Sequence, residues 1–211
     1  MRVLHIGTYW MGENDIVARM AAALSAMTET HCINTHVYGQ GWSEWVEQDG
    51  HVHWVRQDRL LDAVERFRPD AIVCNAGGHA IRSETRARLG AGVVLVGIAL
   101  SDPDIFDYQT RRMAGGFDWF YTNSPTRLAD YAGIGVDARL LPLAVDPSYH
   151  RPLGLTKDFD MVLVAHARPD RQALGGRLAG EFRLGLFGRG WRQGQGSVAG
   201  QAQVEAINRG R

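Results

Sequence analysis

The sequence predicts an α/β protein with a doubly wound, mostly parallel Rossmann-like sheet. Three observations predict this fold. Short runs rich in Val, Ile and Leu, such as those at 71–75 and 93–100, are typical of strands buried on both faces. Segments of helical periodicity that begin at capping residues separate these runs. The regular alternation favours right-handed strand–helix–strand crossovers, which place consecutive strands parallel in one sheet.

The chain begins with a buried strand and a capped helix. Residues 3–9 have the apolar composition of an inner strand, and Asn14 or Asp15 can cap a helix that runs to about Met27. The elements predicted next are a strand at 31–38, a loop with about one helical turn at 39–50, a strand at 51–55 and a helix at 58–67. That helix is amphipathic, because its apolar residues recur on one face.

The alternation continues through the rest of the chain. The later predicted strands are at 71–75, 93–100, 117–122, 139–142, 160–165 and 183–187. The later predicted helices are at 83–89, 108–113, 124–131, 170–180 and 201–208. Pro125 supports one of these helix starts, since proline is favoured at the first helical position.

Two domains are predicted, and the second is short. Residues 1–150 carry enough strands for a complete sheet, and a proline-rich crossing at 146–152 leads into residues 151–211. Two strands and two helices bury too little surface to form an independent domain. We therefore expect the second domain to be incomplete. Its exposed edge is expected to pair in a homo-oligomer or with a partner that supplies the missing donor domain.

Composition excludes several classes of function. The formal net charge is zero, so nothing favours nucleic acid as a partner. No apolar run approaches the ~20 residues that span a bilayer, and His5 interrupts the N-terminal apolar run that a secretory signal would need. Cys32 and Cys74 lie in predicted strands, as free thiols of a cytoplasmic protein do.

Ligands of open parallel sheets bind at the carboxyl ends of the strands, so the loops there are candidate sites. The loop after the first strand contains Trp10, Gly12, Glu13 and Asn14. Its acidic residues would repel phosphate, which points to a hydroxyl-rich acceptor; simple helix capping explains part of the pattern equally well. The six tryptophans include rings that can stack on sugars or pack on the core.

The loop at 76–80 contains Gly77, Gly78 and His79. Glycines allow close approach of the backbone to a ligand. His79 has the side chain of a general base for an acceptor hydroxyl, because the reference pKa of histidine lies near ~6.5. The competing interpretation is a surface histidine at a helix start.

The third loop carries Asp102-Pro-Asp104 after a strand. Paired carboxylates suit a divalent cation, but the same residues are ordinary turn formers. We favour Asp102 as a carboxylate that orients or activates an acceptor, and we predict no metal.

The order of several motifs resembles one enzyme class. Arg68-Pro-Asp70, Asn123-Ser-Pro125 and the segment 141–147 (Leu-Pro-Leu-Ala-Val-Asp-Pro) are followed by Arg168-Pro-Asp-Arg171 and by the segment 186–191 (Leu-Phe-Gly-Arg-Gly-Trp). This order resembles glycosyltransferases of the GT-B fold, in the branch similar to the spore-maturation protein CgeB. The resemblance covers nearly the whole chain. The glycine spacing after the last strand does not match a dinucleotide-binding fingerprint.

The resemblance implies a function and a division of labour. Residues 1–150 would bind the acceptor, and residues 151–211 would begin the domain that binds a nucleotide-sugar donor. Arg168, Arg171 and Gly188 would contact the donor, with Arg168 and Arg171 neutralising its diphosphate; surface arginines beside a helix are the alternative. His79 and Asp102 would be the catalytic residues. No cofactor is implied. The alternative function is a non-catalytic α/β subunit that binds a sugar or a partner.

Overall fold

A computed structural model describes residues 1–9, 16–35, 43–46, 52–75, 81–90 and 92–211. The chain divides into two compact units, and the division falls between Ala144 and Val145. Each unit is an α/β structure with parallel strands.

The first unit is built on a six-stranded parallel sheet. Its strands are β1 (Arg2–Gly7), β2 (Glu29–Asn34), β5 (Ala71–Asn75), β6 (Val94–Ala99), β7 (Trp119–Thr122) and β8 (Ala138–Leu140). Two more strands, β3 (Ser43–Val46) and β4 (Val52–Val55), form an antiparallel hairpin. The order in the main sheet is β2-β1-β5-β6-β7-β8, with every neighbouring pair parallel.

Helices connect these strands. They are α1 (Ile16–Met27), α2 (Gln57–Phe67), α3 (Ser83–Leu89), α4 (Arg111–Met113) and α5 (Leu128–Gly133). A π-helical turn at Phe106–Thr110 precedes α4, and 3-10 turns lie at Ala114–Gly116 and Pro125–Arg127. Helix α2 ends where Arg68 adopts a left-handed conformation with φ 50° and its amide donates to Val64.

The sheet is covered on both faces. Leu4 and Ile6 of β1 belong to one apolar cluster, which includes Leu60 of α2. Val3 of the same strand belongs to another, against which Met20 of α1 packs. Alternate residues of β1 therefore point to opposite faces, as the pleat requires. The predicted fold class, a doubly wound Rossmann-like sheet, is confirmed.

One predicted loop is wrong. Residues 39–50 were expected to form a loop with a helical turn, but 43–46 form β3, paired with β4. The glycines around this segment favoured a loop, whereas the segment ends in Trp and Val, two residue types that are enriched in strands. The pairing partner provides the stability that the short segment lacks alone.

The second unit is a parallel β-α-β arrangement with a final helix. It contains β9 (Met161–Val164), α6 (Pro169–Leu178), β10 (Leu184–Phe187) and α7 (Gln201–Asn208). Gly185 of β10 leaves room for the Phe159 ring, because a Cβ at this glycine would lie 2.8 Å from it. Several large apolar side chains are exposed in this unit, among them Met161, Phe182 and Ile207.

Candidate functional site

The strand order of the first unit creates a switch point between β1 and β5. From β1 the chain goes to β2, which lies on one side of β1. Strand β5 lies on the other side of β1, and β6, β7 and β8 extend the sheet in that direction. In open α/β sheets, ligands bind at the carboxyl ends of the strands at such a point. Among the described residues, the polar side chains of His5, Tyr9 and Asn75 meet there.

His5 joins the other two residues. Its Nε2 lies 2.8 Å from Asn75 Oδ1, and its Nδ1 lies 2.7 Å from the Tyr9 hydroxyl. His5 is fully buried and Asn75 nearly so, whereas Tyr9 is partly exposed. The cluster therefore leads from the interior of the sheet toward its surface, with Tyr9 as the outermost member.

Burial sets the charge of His5. Desolvation lowers the pKa of the His5 imidazole, and the hydrogen bond with Asn75 opposes this effect only in part. His5 is therefore neutral at neutral pH. A neutral imidazole has one donor and one acceptor nitrogen, and this cluster provides a partner for each.

The end of β1 is packed closely against helix α1. A Cβ built at Gly7 would lie 2.3 Å from Cγ1 of Val17, so only glycine fits there. Beside it, the hydroxyls of Thr8 and Thr35 lie 3.1 Å apart. This close packing fixes the carboxyl end of β1 and with it the position of Tyr9, which follows the strand by two residues.

Most of the predicted acceptor-site residues lie outside the described residues. They are the predicted contacts of the first two loops: Trp10, Gly12, Glu13, Asn14, Gly77, Gly78 and His79. The described residues that adjoin these loops, Tyr9 and Asn75, belong to the His5 cluster. The predicted roles of the loop residues, including His79 as a general base, stay predictions.

Asp102 lies in a buried network of hydroxyl groups. Its Oδ1 accepts a hydrogen bond from Thr110 at 2.7 Å, and its Oδ2 accepts from Thr122 at 2.8 Å and from Tyr131 at 2.7 Å. The peptide bond from Asp102 to Pro103 is cis. The three donors come from the π-helical turn, from β7 and from α5. The carboxylate thus ties together three segments around the end of β6.

Asp102 and Asp104, which follow one another closely in the loop after β6, have different surroundings. Both carboxylate oxygens of Asp102 accept hydrogen bonds in the interior, and Asp104 lies exposed. Asp102 therefore has a clear structural task, and its catalytic role stays a prediction. Among the described residues, no group of three or more His, Cys, Asp or Glu side chains is placed to hold a metal ion.

The predicted donor-binding arginines of the second unit lie at the start of α6, with Arg171 inside its first turn. Arg168 precedes the helix, and its guanidinium pairs with Asp170, with Nη2 3.2 Å from Oδ2. This ion pair lowers the pKa of the Asp170 carboxyl group. Arg171 Nη1 donates to the His166 carbonyl at 3.1 Å. Sequence reasoning missed the ion pair, in which a carboxylate competes with any phosphate for Arg168.

The loops that follow β9 and β10 touch each other. Gly188 has φ 137°, and a Cβ there would lie 2.0 Å from the Ala165 carbonyl oxygen. The indole Nε1 of Trp191 donates to that same oxygen at 2.7 Å. Only glycine fits at position 188, because the backbone of the other loop approaches so closely. The predicted contact of Gly188 with a donor stays a prediction.

The His5 cluster was not predicted as a site. Its one visible signal in the sequence is a histidine within an otherwise apolar strand, which was interpreted only as an interruption of the apolar run. Its partner Asn75 lies 70 residues further along the chain, so local spacing could not connect them. The parallel register brings β5 beside β1 and creates the contact.

Comparisons with known proteins add no family. No protein-family model matches the chain. A search of the curated proteins found no significant match. None of the helices among the described residues is long and apolar enough to cross a membrane.

Proposed function

We propose that this protein is a glycosyltransferase of the GT-B type, which transfers a sugar from a nucleotide-sugar donor to an acceptor hydroxyl or amine. The first unit binds the acceptor at the switch point of its sheet. The second unit contributes the diphosphate-binding part of the donor domain through Arg168 and Arg171. The donor is a substrate, and no cofactor takes part.

The observation that carries this proposal is the polar cluster at the switch point. A buried histidine held between an amide and a phenol is costly to desolvate, and a purely apolar residue would fill the same space without that cost. The cluster occupies the place where this fold binds ligands. Hydroxyl, imidazole and amide groups are the partners that a hydroxyl-rich acceptor requires.

The second unit supports the donor half of the proposal by its local chemistry. Two guanidinium groups lie at the start of a helix that follows the carboxyl end of a parallel strand. A helix N-terminus favours anions, and guanidinium groups are suited to bidentate contacts with phosphate. Asp170 competes with a phosphate there, so we expect the arginine contacts alone to give weak affinity.

Binding of a nucleoside diphosphate tests the proposal. Charge-assisted contacts contribute ~1.5–3 kcal/mol each before ordering costs, so two of them support roughly millimolar affinity. Saturation-transfer NMR with uridine, guanosine, cytidine and thymidine diphosphates should show binding of at least one. The double variant Arg168→Ala/Arg171→Ala should lose most of that signal.

Arg177→Ala is the matched control, because Arg177 lies exposed at the other end of the same helix. It removes one positive charge from the same helix, as each of the two test substitutions does, and should leave binding unchanged. Equal loss in Arg177→Ala would indicate nonspecific electrostatics. Absence of binding for all four nucleotides in the wild type would favour the non-catalytic sugar- or partner-binding subunit.

Two further proposals concern location and assembly. Cys32 and Cys74 are free thiols, which supports the reducing cytoplasm as the location. The exposed apolar side chains of the second unit, such as Met161 and Phe182, support self-association or a partner domain. Sedimentation velocity should show species larger than a monomer; a monomer at all concentrations would argue against self-association.

A further inference from the structure

The proton positions in the His5 cluster follow from its hydrogen bonds. Asn75 Nδ2 donates to the Met20 sulfur at 3.5 Å, which orients the amide so that Asn75 Oδ1 faces His5. A carbonyl oxygen only accepts, so His5 Nε2 carries the proton. His5 Nδ1 is then the acceptor nitrogen, and the Tyr9 hydroxyl donates to it across 2.7 Å.

This arrangement gives Tyr9 an unusual chemical position for a tyrosine. Its proton points at a basic nitrogen, and a phenolic oxygen that donates one hydrogen bond is still chemically able to accept another. The residue is partly exposed, whereas the base behind it is fully buried. Among the three residues of the cluster, Tyr9 is therefore the one nearest to solvent.

We propose that Tyr9 and His5 form a proton relay at the switch point, in which Tyr9 accepts the proton of an acceptor hydroxyl and passes its own proton to His5. This inference deepens the proposed function and rests on it for the identity of the ligand. Tyr9 is the residue that touches the substrate. His5 is the terminal base, and Asn75 is a positioning residue that fixes the His5 tautomer.

The proton transfers balance. The acceptor oxygen forms a bond to the anomeric carbon of the donor sugar as the bond from that carbon to the diphosphate breaks. The acceptor proton moves to the Tyr9 oxygen, the Tyr9 proton moves to His5 Nδ1, and the nucleoside diphosphate leaves with the bond electrons. Asn75 Oδ1 stabilises the imidazolium that results, and His5 then releases its proton by the same route.

The relay can be tested without knowing the acceptor. Aryl sulfonyl fluorides modify tyrosines whose proton a neighbouring base removes: the phenolic oxygen bonds to sulfur, fluoride leaves, and the base keeps the proton. Peptide mass spectrometry of the wild-type protein should show Tyr9 modified at least about tenfold faster than Tyr108. Tyr108 is an internal control because it is 47% exposed.

Two variants assign the effect to the base. His5→Gln should reduce the rate at Tyr9 to that of Tyr108. Asn75→Asp places a carboxylate on His5 Nε2, which stabilises the imidazolium, so the rate at Tyr9 should rise. If His5→Gln fails to fold by circular dichroism, Asn75→Asp alone decides: a rate at Tyr9 that does not rise would overturn the relay. A rate at wild-type Tyr9 no higher than at Tyr108 would also overturn it.

The relay and the proposed function can fail separately. Fast modification of Tyr9 in a protein that binds no nucleoside diphosphate would keep the relay and reject sugar transfer. Nucleotide binding together with slow modification of Tyr9 would keep the donor site and reject the relay.

Discussion

The hydroxyl network around Asp102 predicts that Tyr131→Phe, which removes a single oxygen atom, lowers the stability of the protein. The Tyr131 ring packs edge-on against Phe106, with centroids 4.9 Å apart, and phenylalanine retains that contact. The change removes only the hydroxyl that donates to Asp102 across 2.7 Å. Because hydrogen bonds to charged groups contribute ~1.5–3 kcal/mol, we expect the free energy of unfolding to fall by about 2 kcal/mol.

Urea unfolding followed by far-UV circular dichroism measures this loss. In a thermal experiment the same change corresponds to a fall in melting temperature of roughly 4–8 °C for a chain of this size. Tyr108→Phe is the control, since Tyr108 is exposed, and its effect should stay within ~0.5 kcal/mol. A change of that same small size in Tyr131→Phe would refute the view that Asp102 depends on its three hydroxyl donors.

The same residue predicts behaviour in alkali. Burial raises the pKa of the Tyr131 hydroxyl above its ordinary value, and the neighbouring Asp102 adds to this effect. The unfolded chain therefore ionises at this position first. The contribution of Tyr131 to stability is complete below the unfolded pKa of ~10 and declines as pH rises above it. Tyr131→Phe should lose less stability than the wild type between pH 9 and 11.

Three further predictions follow from buried or crowded groups. Gly188→Ala should destabilise the second unit by about 3 kcal/mol, because the new Cβ would lie 2.0 Å from a carbonyl oxygen. The control Gly176→Ala, at an open position of a helix, should stabilise the protein by ~0.5–1 kcal/mol. Equal effects of the two variants in urea unfolding would contradict this prediction. The pKa of His5 lies below its unfolded value, so the unfolded state binds the proton first and the free energy of unfolding should decline as pH falls below ~6.5. His5→Gln should show a smaller decline between pH 7.5 and 5.5. An equal decline in this variant would exclude His5 as the cause of the pH dependence. Burial raises the pKa of the Cys74 thiol to about 12, so iodoacetamide at pH 8 should modify the exposed Cys32 and leave Cys74 intact; modification of both in the folded protein would contradict this.

Sequence patterns predicted the secondary structure of this protein better than its site. The strand at Ala71–Asn75 and the helices at Ser83–Leu89 and Gln201–Asn208 match the predictions residue for residue. Each has turn or breaker residues close to its ends, and the strand is a compact apolar run. The hairpin at 43–55 was half missed, because its first strand depends on a partner and carries little signal of its own.

The candidate site was harder to predict because its contacts are long-range. Asp102 was predicted to orient or activate an acceptor, and the structure places it in the interior, where it accepts hydrogen bonds from donors as far along the chain as Tyr131. His5 was passed over because a histidine in an apolar strand gives no indication of its partner. Only the strand order, which sets β1 beside β5, brings His5 to Asn75.

Release of a nucleoside diphosphate from a nucleotide sugar is the most direct test of the account. The protein should be incubated with uridine-, guanosine-, cytidine- and thymidine-diphosphate sugars, with and without a mixture of sugar and amine acceptors, and the free diphosphate measured by chromatography. We expect release from at least one donor, stimulated by acceptor and lost in both Tyr9→Phe and Arg168→Ala/Arg171→Ala. No release from any donor, or release that all these variants retain, would contradict it.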